Sequence, residues 1–248
     1  MTRSVASTSS DPRLLITPHR APTLLAPAML LPHHRELVET FRTPTAADPW
    51  RVLTSGCLAA WPCGVNASDY GLGEVLRDFF TLPTLRVLPF CPEQFAIGTP
   101  RTMPDIHGGD GADVVAGRAR VFDEHGVDLT DKMLAGARAM VDFARAEHAE
   151  LAILTDMSAA CGSQVISLGC RLVAERKFQK GVGVATAMLL EAGIPVVSQR
   201  DFHTLALLRA RLDPAFVAPA GLRDHHEHAW TVQHLPTLHP RAQERDES

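Results

Sequence analysis

Long apolar runs are missing from this chain, so neither a membrane-spanning helix nor a secretory signal is expected. The expected compartment is therefore the cytoplasm. Paired cysteines are missing too. The five, at 57, 63, 91, 161 and 170, are an odd number spread along the chain, which fits poorly with a secreted disulfide framework. None stands in the C-x2-4-C spacing of a closed structural zinc site. An excess of basic residues is also absent: 24 Lys and Arg face 28 Asp and Glu, for a net charge of -4. That balance argues against binding to nucleic acid chiefly by phosphate neutralisation; it leaves room for a localised basic strip, but there is no membrane and no strong nucleic-acid signal. What is left is a globular composition, 46% hydrophobic over 248 residues. A domain of that size buries roughly 70 to 75% of its unfolded surface. It needs no metal for stability, so a bound metal would serve function.

Prolines at 12, 18, 22, 27, 32 and 44 interrupt any ladder or helix near the N-terminus. Residues 1–47 are therefore read as a largely disordered extension, with 1–25 the least ordered. Residues 48–213 alternate strand and helix patterns. Strands are expected at 51–54, 85–88, 118–122, 151–154 and 194–197. Helices are expected at 71–80, from Thr130 as N-cap, at 184–192, and from Ser198 or Asp201 to about 212. The continuous apolar run at 151–154 reads as a parallel strand covered on both faces. The fold class is thus α/β, a mostly parallel sheet with flanking helices in a Rossmann-like three-layer arrangement, with irregular N- and C-terminal extensions. Residues 98–117 read as a Gly-rich loop, and 214–248 as a polar tail whose His225, His226 and His228 are solvated rather than metal-bound.

Cys57, Cys91 and Cys161 each follow an expected strand within three to seven residues. In a parallel sheet they would reach one edge, where ligands bind. Any one cysteine is commonly just a small buried hydrophobe. Three at strand ends, without zinc-type spacing, suit an iron-sulfur cluster with one iron left without a cysteine. Asp156, Ser158 and Ser163 share the small-residue turn that carries Cys161. Because Ala159, Ala160 and Gly162 leave space beside it, an enclosed pocket is expected. Gly181-Val-Gly183 is a partial dinucleotide fingerprint, which on its own carries little weight as a phosphate site.

Together, Ser55-Gly-Cys57-Leu, Cys91-Pro-Glu93, Thr99-Pro-Arg101, Asp105-Ile106, Gly126-Val-Asp128-Leu-Thr130, Gly136-Ala137, the stretch from Ala152 to Ser158, and Cys161-Gly162 resemble a family of uncharacterised-domain proteins. Its characterised members include thiouracil desulfurases, and the likeness spans 51 to about 198. The resemblance implies a 4Fe-4S cluster held by Cys57, Cys91 and Cys161, with the fourth iron open to the sulfur of a small thiolated substrate. It implies catalytic roles for Glu93 and Ser158, and Arg101, Asp105 and Asp156 are the expected substrate-binding residues. Cys63 is often a cysteine in the family without having to be a ligand, and Cys170 matches none. Three departures fall near the pocket: Gly64-Val-Asn-Ala67 replaces Arg-Tyr-Asp-Gly, Ser158-Ala-Ala-Cys161 replaces Ser-Pro-Ser-Cys, and Thr155 replaces Lys. The expected activity is removal of sulfur from a thiocarbonyl compound such as a thiolated nucleobase. The alternative is a non-catalytic iron-sulfur protein: a sulfur or cluster carrier, or a redox sensor.

Overall fold

The computed structural model describes residues 38–235. Of the extension 1–47 expected to be largely disordered, residues 1–37 lie outside the described residues, as does the end of the polar tail; within 38–47, Val38 is buried and Arg42 pairs with Glu150. Four parallel strands form the central sheet: β1 (Trp50–Ser55), β2 (Leu85–Phe90), β5 (Leu151–Leu154) and β8 (Val196–Ser198), in the order β2-β1-β5-β8. Two antiparallel pairs stand apart from it, β3 (Asp105–His107) with β4 (Arg120–Phe122) and β6 (Val165–Ser167) with β7 (Phe178–Lys180).

Strand alternation divides the apolar side chains between two layers. Leu53, Ala152 and Leu154 face one side, where α4 (Thr130–Ala146) and α5 (Val184–Glu191) cover them through Met133, Met140, Val184 and Leu189. Val52, Leu151 and Ile153 face the other, under Leu205, Leu208 and Leu212 of α6 (Phe202–Leu212) and Phe79 of α1 (Arg77–Phe80). The sheet is thereby buried on both faces, which is why β5 reads as an unbroken apolar run.

Several local expectations change. The stretch at 98–117 is not a structureless loop: it holds β3 and the short α3 (Gly111–Val115), which Asp110 caps by accepting from the Ala112 and Asp113 N–H groups. The 118–122 strand pairs with β3 rather than joining the main sheet. The 71–80 helix is split into a 3-10 turn at Leu72–Glu74 and α1. Thr130 is the first residue of α4 rather than its cap, because its hydroxyl accepts the Val121 N–H at 3.0 Å. Beyond Asp213 the chain is not simply polar and aperiodic. A 3-10 turn at His225–Glu227 and α7 (Ala229–His234) fold back on the domain, with Asp224, His225 and Thr231 buried.

Candidate functional site

Register brings the strand ends level. Ser55 of β1 pairs with Phe90 of β2, and Thr54 of β1 pairs with Ile153 of β5. The chain leaves β1 through Gly56 into a 3-10 turn that carries Cys57. It leaves β2 through Cys91, the N-cap of α2 (Pro92–Ala96), whose Sγ accepts the Gln94 N–H at 3.4 Å. It leaves β5 through Thr155 to Ser158, where the Ser158 hydroxyl accepts the N–H groups of Ala160 and Cys161 at 3.2 and 3.1 Å. One cavity of about 260 Å³ lies at the carboxyl ends of these three strands, lined by Cys57, Cys63, Cys91, Cys161, Glu93 and Arg101 together with Ser158 and Asp156.

Four thiols, not three, stand on its wall. Hydrogen bonding to Cys57 and to Cys91, together with burial, pushes the Cys63 thiol far up, whereas the same bond from Cys63 holds Cys57 and Cys91 below the ordinary thiol range. Burial pushes Cys161 up, against a hydrogen bond from Ser55. Cys57 Sγ also meets Thr155 Oγ1 at 3.0 Å. Among the described residues no three His, Cys, Asp or Glu side chains are gathered to hold a single ion. A cluster spreads its ligands over several irons, and a wall of thiols supplied with nearby donors is the donor chemistry it uses. On donor set, these residues fit.

Beside the thiols runs a short polar chain. The Arg101 guanidinium, only 4% exposed, forms an ion pair with Glu93 Oε2 and donates to the Cys63 carbonyl at 2.8 Å, while its Nε has no partner. Glu93 Oε1 lies 3.5 Å from the Ser158 hydroxyl. Asp105 is placed differently. Its buried carboxylate takes the Ser167 hydroxyl and the Arg171 guanidinium, both at 2.6 Å, and it does not line the cavity. Asp156 lines the cavity, but its carboxylate is occupied: Oδ1 accepts the N–H groups of Met157, Ser163, Gln164 and Val165, and Oδ2 meets His225 Nδ1 at 2.6 Å. Burial raises its pKa, yet His225 and these N–H groups outweigh burial and hold the carboxyl below its usual range. Arg171 and His225 were missed in the sequence. The polar tail spacing that suggested solvation hides a histidine whose partner is 69 residues away.

The glycine pattern before α5 serves packing rather than a phosphate. The Gly183 N–H reaches the Gly162 carbonyl at 2.7 Å, and Val184 and Ala185 N–H groups reach the Ala159 and Ala160 carbonyls at 2.9 Å each. The first N–H groups of the helix are thus spent on the Cys161 turn. A Cβ on Gly183 would come within 2.4 Å of the Ala160 backbone. Gly183→Ala should therefore destabilise the fold by roughly 1 to 3 kcal/mol, the usual penalty of overpacking. An unchanged urea midpoint would show that the turn yields freely.

Behind the turn, Asp201 accepts from the Gln164 side chain, the His225 N–H and the Ser198 N–H at 2.5, 3.0 and 2.9 Å. Burial pushes its carboxyl up to about 6. A raised acid binds its proton more tightly in the folded state, so its contribution to stability should fall as pH rises from about 4, the unfolded value, to about 6, and stay lost above that. Asp201→Asn should remove that slope, whatever its absolute stability. Chemical denaturation at several pH values measures it, and a wild-type slope retained in the variant would assign the titration to another group.

The model of a family described as 2-thiouracil desulfurase matches residues 52–201. The uncharacterised protein YbbK of Bacillus subtilis (strain 168) is 31% identical over 155 residues, which cover 62% of this chain and 99% of that protein. Among solved structures, a protein titled 4Fe-4S-dependent thiouracil desulfidase TudS is similar, with a TM-score of 0.50 and 28% identity, covering 65% of this chain and 98% of that one.

Proposed function

Because the chain belongs to the 2-thiouracil desulfurase family, we propose that it is a cluster-dependent desulfidase that exchanges the sulfur of a small thiocarbonyl compound, such as a thiolated nucleobase, for oxygen from water. The observation that carries this reading is the meeting of Cys57, Cys91, Cys161, Glu93, Arg101 and Ser158 in one cavity at the carboxyl ends of β1, β2 and β5. A 4Fe-4S cluster held by Cys57, Cys91 and Cys161 would supply an open iron, a Lewis acid for the departing sulfur. The overall change balances without net redox: the thiocarbonyl and one water become the carbonyl and one hydrogen sulfide.

The protein's own part is proton handling and positioning. Arg101 fixes Glu93, so that Oε1 rather than Oε2 is left to take a proton from water and return it to the leaving sulfur or a ring nitrogen. The Ser158 hydroxyl, its oxygen fixed by two N–H groups, has its proton to offer to Glu93 or to the substrate. Walls of Phe90, Leu72 and Met103 limit water. Thr155, standing where the family resemblance places Lys, touches Cys57 with a neutral hydroxyl, so the charge presented to a substrate differs and thiouracil itself need not be preferred. The five free thiols support a reducing, cytoplasmic setting.

Anaerobically reconstituted protein, incubated with a panel of thiolated pyrimidines, should bleach thiocarbonyl absorbance and release sulfide in equal amounts. If nothing on the panel is turned over while the intact cluster passes to an apo acceptor protein, the chain is a carrier and not a desulfidase.

A further inference from the structure

We propose that the chain carries a second binding site, for an organic phosphate monoester, in a cavity of about 400 Å³ that adjoins the thiol cavity at Met157. Arg176 and Phe178 reach it from β7 and its approach, Arg200 from the end of β8, and His225, Trp230 and Thr231 from the C-terminal segment. The family match stops at 201, so half of these six residues lie outside the shared domain. The site belongs to this chain's own elaboration, and it stands whether or not the desulfidase reading holds.

Charge is the first argument. Arg176 and Arg200 make no ion pair among the described residues, and no Asp or Glu lines the cavity. Two uncompensated guanidiniums in a concave wall raise the local concentration of anions, and their planar forks match phosphate oxygens. A buried hydroxyl is the second. Thr231 is 1% exposed, and its Oγ1 has no hydrogen-bond partner. An unmade bond of this kind costs about 1 to 3 kcal/mol, and an acceptor oxygen in the cavity would relieve it. Third, Asp156 engages His225 at Nδ1, which leaves the opposite ring nitrogen as that side chain's remaining polar atom on the lining. Two arginine forks and a hydroxyl together present about five donors, more than the roughly four lone-pair sites of a carboxylate, whereas a phosphate monoester offers three terminal oxygens. The ester's organic part has its own wall: Trp230 and Phe178 meet edge to face at 5.4 Å, a surface suited to a flat ring.

The phosphate could be carried by the thio-substrate or by a separate compound, and the chemistry at this site is the same. Calorimetric titration of the anaerobically purified full chain uses phenyl phosphate, inorganic phosphate and phenol as probes. Phenyl phosphate should bind with Kd below about 1 mM, inorganic phosphate more weakly and phenol not at all. The exposed pair Arg176→Ala/Arg200→Ala should fold normally, as a melting curve checks, and raise the Kd for phenyl phosphate at least about tenfold, or about 1.4 kcal/mol. Trp230→Ala should weaken phenyl phosphate while sparing inorganic phosphate. If saturating thio-substrate with its own phosphate displaces phenyl phosphate and its unphosphorylated counterpart does not, the phosphate is the substrate's; if neither displaces it, the ligand is separate. No heat from phenyl phosphate at about 10 mM, a range far above useful affinities, or binding that survives loss of both arginines, overturns the site.

Discussion

Replacing Cys57, Cys91 or Cys161 with alanine should each strip the chain of iron and of activity, while Cys170→Ala should leave both unchanged. The three come from the ends of three parallel strands and line one cavity; Cys170, just past β6, does not line it. A cluster that loses one of three protein thiolates loses a covalent anchor, and among the described residues Cys63 is the one further thiol lining the cavity. Cys63→Ala is therefore the informative companion. The family resemblance gives Cys63 no ligand role, so this variant should keep its iron, although it removes the hydrogen bonds that hold Cys57 and Cys91 down. Iron and acid-labile sulfide per chain, read with the visible absorption band, decide each case. Stoichiometric iron in Cys161→Ala, or its loss in Cys63→Ala alone, would mean that a different trio of thiols is in use.

Glu93→Gln should keep the iron and lose turnover by roughly 10²- to 10⁴-fold, the contribution of one positioned acid or base. Glu93 follows Cys91 by two residues, and its Oε1 faces Ser158 across 3.5 Å. The substitution also leaves the Arg101 charge without its partner in a setting where that side chain is only 4% exposed, and breaking a buried pair costs about 3 to 5 kcal/mol. Lower thermal stability is therefore expected along with the kinetic loss, and iron content separates the two effects. Iron retained with activity lost assigns Glu93 to proton transfer; iron and activity lost together assign it to holding the α2 turn.

The α/β class and its parallel sheet could be read in the sequence because β1, β2 and β5 are short apolar runs, and covered parallel strands look that way. The meeting of Cys57, Cys91 and Cys161 in one cavity was legible for the same reason: a thiol placed just past a strand end inherits its position from the sheet. What escaped had no periodicity to betray it. Asp105 and Arg171 form an ion pair between segments 66 residues apart, so Asp105 read as a cavity residue when it is a structural anchor. His225 sits in a polar stretch whose burial depends on Asp156 and Asp201, which only the folded chain brings near. Gly181-Val-Gly183 matched part of a dinucleotide fingerprint because close backbone packing and phosphate binding both call for glycine; the carbonyls of the Cys161 turn account for the glycines here.

The most direct measurement is metal analysis of the anaerobically purified chain. An iron-sulfur desulfidase of this design should be brown and return about four irons and four acid-labile sulfides per chain, with little zinc. A colourless protein containing stoichiometric zinc, still folded and with its thiols occupied, would contradict the cluster and the chemistry built on it.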